Sequence, residues 1–228
     1  MHFSRYAVYV TLPKGPLSEF GAQWLGWNAA TGERPDAPMI HGLPMPVHDI
    51  TATPRKYGLH GTIKPPFRLA EGQSFDALHD EFAAFCAAHS PVTLEGLALT
   101  RLGSFLALTP VGDTNDLATL AARAVETLDP YRAPLTETEM DKRRKSGLSE
   151  RQDALLTQWG YPYVMDQFRF HITLSGRLNK TDAEQVRAAL LPHIDQRLPR
   201  PFTVDALTLC GEDQTGYFHE LHRYALCG

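Results

Sequence analysis

Cysteine is scarce in this chain and arranged for no collective purpose. Cys86, Cys210 and Cys227 are odd in number, widely spaced and without a Cys-x-x-Cys pair. That pattern fits neither a disulfide framework nor a thiolate zinc site, and reduced, buried thiols are the expectation. A surplus of one charge is missing too. The formal net charge of −4 argues against a general grip on duplex or long nucleic acid, although a local basic site stays open. No uninterrupted apolar run reaches the ~20 residues of a membrane span, and the N-terminus lacks the apolar core of a secretion signal. A cytoplasmic protein without a membrane partner is therefore expected. What remains is a chain of 228 residues with 43% hydrophobic content, long enough for one large domain or two small lobes sharing a core.

What the chain does have is a repeated short pattern. From Phe168 to Ser175 the residues alternate strictly. Phe168, Phe170, Ile172 and Leu174 occupy one side, and Arg169, His171, Thr173 and Ser175 the other. A period of two is the strand signature, so the apolar set faces a core and His171 projects with Thr173 from the opposite face. Tyr57 to Lys64 repeats this, with Leu59, Gly61 and Ile63 on one face and His60, Thr62 and Lys64 on the other. Two distant strands each carry His-x-Thr followed by an aliphatic residue. None of the other eight histidines has Thr two positions on, so the pattern is no by-product of a His-rich chain.

The chain in order supports a duplicated plan. Arg5 to Leu12 reads as a strand, ended by Pro13-Lys14-Gly15-Pro16, and Pro16 to Trp27 as a short amphipathic helix. A Pro- and Gly-rich loop follows to Pro54. The first motif strand is expected to stop at Pro65-Pro66. Ser74 caps a helix over 75–89, and 92–101 with 104–109 reads as a hairpin turning near Gly103. A helix follows Asp113 and ends at Asp129-Pro130. Between Tyr131 and Gln167 the composition becomes polar, with two short helices broken at Gly147. The first ends in Lys142-Arg143-Arg144-Lys145. After the second motif strand come a helix over 181–198, where Pro192 introduces a kink, and strands over 201–210 and 217–226.

Strand, helix, strand, strand thus follows each motif. The expected architecture is α+β, a single domain over 1–228. A motif lobe lies around 57–110, a helical insert about 131–167, and a second motif lobe around 168–227, with room for strand exchange between the lobes.

Two imidazoles near neutrality, one neutral and one protonated, suit the opening of a cyclic phosphodiester. One takes a proton from water and the other protonates the departing sugar oxygen. A Thr two positions along the same strand face lies about 6.5–7 Å from its His at the Cα, where its hydroxyl can hold a non-bridging phosphate oxygen. His60, Thr62, His171 and Thr173 are the expected catalytic set, with no metal and no cofactor required. Lys64 and Arg169, which share the motif faces, are candidates for the rest of the substrate. Tyr9 joins them if its strand turns that side inward. Arg143 and Arg144 are candidates for a clamp on a second phosphate, because Arg binds phosphate oxygens bidentately.

These residues resemble the 2H phosphoesterase superfamily, named for two His-x-Thr/Ser motifs of this kind. Within it the likeness is to a bacterial subgroup of phosphonate-metabolism proteins, a domain of unknown function found beside carbon–phosphorus lyase systems. The strings that carry it run from end to end: Arg5 to Tyr9, Arg55 to Lys64, Leu102 to Leu108, Trp159 to Met165 and Phe168 to Leu174. The resemblance implies a bilobal, pseudo-symmetric fold, two antiparallel sheets facing a central cleft with helices outside. It also implies metal-independent chemistry on a small phosphorylated substrate, such as a nucleoside 2′,3′-cyclic phosphate or a ribose cyclic phosphate. Three other readings stay open: a non-catalytic binder of nucleotides or phosphorylated ligands, an enzyme of RNA ends, and a zinc hydrolase using His219 and His222. The last is poorly served, since residues three apart on a strand face opposite ways.

Overall fold

The computed structural model describes residues 3–228. Among these residues are seven α-helices and nine strands, most of them where alternation and capping signals place them, with α2 inside the stretch expected to be a loop. They are β1 (Arg5–Thr11), α1 (Pro16–Leu25), α2 (Val47–Ile50), β2 (His60–Phe67), α3 (Phe75–Ala87), β3 (Val92–Leu94), β4 (Gly96–Leu102), β5 (Phe105–Val111) and α4 (Asn115–Thr127). Then follow α5 (Glu137–Arg144), α6 (Glu150–Trp159), β6 (Ile172–Thr173), α7 (Lys180–Ile194), β7 (Phe202–Val204), β8 (Ala206–Glu212) and β9 (Phe218–Ala225). Side chains close the helix starts: Ser74 accepts from Ala77 N, Thr136 from Glu139 N and Ser149 from Gln152 N. Each cap satisfies an amide that the helix itself cannot.

The fold is α+β. A large antiparallel sheet runs β4-β5-β6-β2-β1-β8-β9, and β3 pairs with β7 in a small second sheet. The large sheet consists of two parts, β4-β5-β6 and β2-β1-β8-β9, joined at a single Cα pairing, Gly61 with Ile172. The hairpin that follows the first motif thus pairs with the second motif strand, through Ala107–Thr173 and Leu108–Ile172. The hairpin that follows the second motif pairs with β1, which pairs in turn with β2. One apolar cluster backs this sheet, drawing Trp24 from α1, Phe82 from α3, Leu120 from α4 and Leu190 from α7 onto Val8, Ile63 and Ile172. Trp24 is wholly buried and donates its indole N–H to Leu174 O at 2.7 Å, which satisfies the one polar atom of that ring.

Three local departures from the sequence expectation have physical causes. The first motif strand does not stop at Pro65-Pro66 but runs on to Phe67. Beyond Gly61 it pairs with β1 alone, through register shifts, and an edge with irregular pairing tolerates residues that lack an amide donor. The second motif strand shortens to Ile172–Thr173, because a 3-10 turn at Met165–Gln167 precedes it. Its in–out alternation survives all the same, with Phe170, Ile172 and Leu174 buried. The expected strands over 92–101 and 201–210 both divide, and their first parts, β3 and β7, leave the large sheet to pair with each other. Cys86 and Cys210 are buried free thiols, but Cys227 is exposed. No described helix is long and apolar enough to cross a membrane.

Candidate active site

The joint between the two parts of the sheet brings the motifs together. Gly61 and Ile172 are Cα partners in an antiparallel pair, so the flanking residues follow in register: His60 opposite Thr173, and Thr62 opposite His171. Neighbours in such a ladder lie about 4.5–5.5 Å apart at the Cα. Ile172 is buried in the core, so all four motif residues emerge on the other face. Each histidine therefore stands beside the threonine of the opposite strand, with a local two-fold relation about Gly61 and Ile172.

Gly61 permits this approach. A Cβ there would lie 2.3 Å from two ring carbons of Phe170, closer than any side chain tolerates. The motif's variable middle position is thus dictated by a ring on the core side and not by the chemistry across the sheet.

Both imidazoles are oriented by the same device. His60 Nδ1 is 3.0 Å from Gly58 O, and His171 Nδ1 is 2.7 Å from Arg169 O. A carbonyl only accepts, so in each ring Nδ1 carries the hydrogen and Nε2 is left for the cleft. Thr62 Oγ1 lies 3.2 Å from His60 Nε2 and can donate to it.

The surroundings of the two rings differ. Tyr9 lies against His60 with ring centroids 3.9 Å apart, and Tyr57 flanks it at 5.8 Å. Burial pushes the His60 imidazole down from 6.5 to about 4; its bond to Gly58 works against that shift, and the nearby His171 adds to it. His171 stands in the wall of a cleft of about 530 Å³, whose lining also includes Thr62, Phe105, Gln152, Tyr161 and Arg169.

The remaining candidates separate. Arg169 lines the cleft and makes no ion pair among the described residues. Tyr9 is on the motif face, paired with Thr62, but it is 1% exposed and serves as the floor under His60. Burial holds its phenol well above the ordinary range.

Lys64 departs from the expectation that it shares the face of His60 and Thr62. A register shift between the Tyr9–Thr62 and Val8–Lys64 pairings breaks the alternation there. Lys64 is 1% exposed, donates to Val125 O at 3.0 Å and lies 3.6 Å from Asp129. Burial pulls its ammonium down to about 8, with Asp129 opposing. Arg144 also lies elsewhere: both of its bonds go to Asp153, at 2.6 and 3.2 Å, tying α5 to α6. Arg143, one residue earlier, points the other way and stacks over the Tyr161 ring at 4.9 Å.

Sequence reasoning did not single out Tyr57, Gly58, Phe105 or Tyr161. All four lie in strings that carry the family likeness, but nothing in their type or spacing states a role. Among the described residues no group of three or more His, Cys, Asp or Glu could hold a metal ion. His219 is bonded to Asp213 at 2.9 Å, and His222 packs against His79.

Residues 62–219 match the family described as "Protein of unknown function (DUF1045)". The chain belongs to this family. Among curated proteins, this DUF1045 chain is 40% identical over 219 residues to a "Ribose 1,5-bisphosphate phosphokinase PhnN" of Janthinobacterium sp. (strain Marseille), covering 93% of the chain and 48% of that protein. A protein of the same name from Laribacter hongkongensis (strain HLHK9) is 36% identical over 229 residues, covering 96% of the chain and 51% of that protein. The chain thus spans about half the length of these relatives. Among solved structures it is similar to E. coli LigT complexed with NADP+, with a TM-score of 0.45 and 13% identity over the whole of both chains.

Proposed function

We propose that this chain hydrolyses a small cyclic phosphodiester without a metal, and that it works on a ribose cyclic phosphate in phosphonate metabolism. The observation that carries the reading is the antiparallel juxtaposition of the two His-x-Thr pairs, with both Nε2 atoms freed by backbone bonds at Nδ1. His60, neutral above about pH 4, takes a proton from water as the water oxygen bonds to phosphorus. The bond from phosphorus to one ring oxygen breaks, and His171 gives that oxygen its proton. The product is a phosphomonoester, and the proton is returned from His60 to His171 through solvent. Thr62 and Thr173 donate hydrogen bonds to the non-bridging oxygens, where charge grows in the transition state.

The relatives' name supports the sugar. A ribose 1,5-bisphosphate phosphokinase consumes a ribose bearing phosphates at C1 and C5. Opening the 1,2-cyclic phosphate of ribose 5-phosphate at O2 yields that compound. The kinase part of the name does not transfer readily to this half. A Walker phosphate-binding loop needs Gly-Lys, and the 228 residues contain no Gly-Lys pair. The aromatic wall of the cleft, with Phe105, Tyr161, Tyr163 and Phe168, favours a second substrate class, nucleoside 2′,3′-cyclic phosphates, whose base would stack there.

Phosphorus NMR of the protein with ribose 1,2-cyclic phosphate, its 5-phosphate and the four nucleoside 2′,3′-cyclic phosphates tests the proposal. Conversion to phosphomonoesters that persists in excess chelator is expected. Saturable binding with no turnover of any of them would replace the enzyme with a binder.

A further inference from the structure

A second, smaller recess adjoins the cleft, and the residues around it are unusually basic. Its lining includes Arg5, Lys64, Arg68, Arg132 and Arg143. Three carboxylates pair with these cations. Glu212 holds Arg5, Glu139 holds Arg68, and Asp129 holds both Arg132 and Lys64. Five cations against three carboxylates leave two positive charges uncompensated. Arg143 is the one without an ion pair among the described residues; its guanidinium rests on the Tyr161 ring. Gathering like charges around one recess opposes the compact state unless an anion is received there.

The walls are shaped for this. Gly160 closes α6 in the left-handed conformation, φ 73°, and a Cβ there would lie 2.8 Å from Arg132 Nη1. The absent side chain lets Arg132 lie flush against the recess. Trp159, Val125 and Phe67 supply an apolar back wall, which strengthens any charge pairing in front of it. The free volume is about 30 Å³, room for about two waters at ~10–15 Å³ each. Glu139 is also held by Thr136 in the capping box of α5, so a larger anion enters only if Arg68, 41% exposed at the side chain, swings away from it.

The recess also lies along a path from the histidines. Pro65 lines both the recess and the cleft. Gly160 faces the recess while the next residue, Tyr161, faces the cleft with Arg143 across its ring.

We propose that this recess is a phosphomonoester site, in which Arg143, Arg68 and Arg5 hold a second phosphate of the substrate whose cyclic phosphate lies between His60 and His171. The identity of the substrate's other end rests on the phosphodiesterase reading; the recess itself does not. Ribose 5-phosphate, which carries the monoester and no cyclic group, is therefore the probe, titrated calorimetrically against the whole chain with ribose as its phosphate-free control.

Binding of ribose 5-phosphate but not ribose is expected. Arg143→Gln and Arg68→Gln should each weaken it tenfold or more, with Arg143→Lys restoring part of the loss. Arg144→Gln, His60→Ala and His171→Ala should leave it within twofold. Unchanged melting of Arg143→Gln, whose helix is largely exposed, would keep a folding defect out of the comparison. Wild-type affinity in both Arg68→Gln and Arg143→Gln overturns the proposal, as does loss of binding in the histidine variants alone. If the expected pattern appears while no cyclic phosphate is hydrolysed, the recess stands and the phosphodiesterase reading falls. If hydrolysis occurs but ribose 5-phosphate binding ignores both arginines, the reverse holds.

Discussion

On β2 the motif histidine rests on Tyr9, is flanked by Tyr57 and has Thr62 at its Nε2; on β6 the motif histidine stands in the open cleft wall with Phe105 5.6 Å away. The backbone device is shared, a carbonyl two residues earlier receiving the Nδ1 hydrogen. The pairing about Gly61 and Ile172 makes the two positions geometrically equivalent, and burial makes them chemically different. Taking the charged form out of water holds His60 neutral down to about pH 4. A symmetric joint with unequal surroundings is what the proposed reaction asks of one strand pair, a proton acceptor and a proton donor.

Removing either imidazole should have the largest effect. His60→Ala and His171→Ala are each expected to lower turnover by roughly two to four powers of ten, the span of a positioned acid or base. Both should fold, because both rings lie on the face opposite the helix-backed core. Near-wild-type turnover in either variant would break the comparison at its root.

The threonines sharpen it. On the proposed mechanism Thr62→Val and Thr173→Val should each remove a hydrogen bond to a charged phosphate, costing about 1.5–3 kcal/mol in kcat/KM. Of the two, only Thr62 also lies within hydrogen-bond distance of an imidazole, so Thr62→Val alone should move the acid limb of the pH profile. Effects under twofold in both would reduce the hydroxyls to strand packing.

Gly61→Ala attacks the joint from the core side. A methyl group pressed into the Phe170 ring should destabilise the fold by about 1–3 kcal/mol in chemical denaturation. Phe170→Leu in the same chain should recover part of that loss by clearing the space. Additive losses in the double variant would mean that ring and glycine do not compete for one volume.

The smallest effect is on acid stability. The His60 proton affinity is depressed on folding, so between about pH 6.5 and about pH 4 the unfolded chain binds the extra proton. Stability from this group is therefore present above pH 6.5 and lost as pH falls through that window. His60→Gln should flatten the acid side of the stability curve, and an unchanged slope would place the burial elsewhere.

Much of this was legible in the residues, for a physical reason. Alternation over 57–64 and 168–175 reports which side of a strand meets the core, and the four motif residues emerge together on the opposite face. The polar composition between Tyr131 and Gln167, broken at Gly147, reports α5 and α6, whose starts Thr136 and Ser149 cap. Alternation fails where a bulge intervenes, and Lys64 is turned to Val125 and Asp129 by a register shift that no local pattern encodes. Arg143 and Arg144 are adjacent in sequence, yet a helix sends neighbours about 100° apart, so one meets Tyr161 and the other Asp153. The unequal settings of His60 and His171 were out of reach for the same reason. Tyr9 and Phe105 come from other strands, and only the sheet order brings each to its histidine.

The dependence of kcat/KM on pH for a hydrolysed cyclic phosphate tests the unequal pair most directly, since it reports the acid and base of the free enzyme. The expected profile is a bell whose rising limb lies near pH 4, as His60 gives up its proton, and which falls again once the general acid is spent. A rate that climbs without a plateau to pH 9, or a rising limb at the ordinary imidazole value, would contradict it.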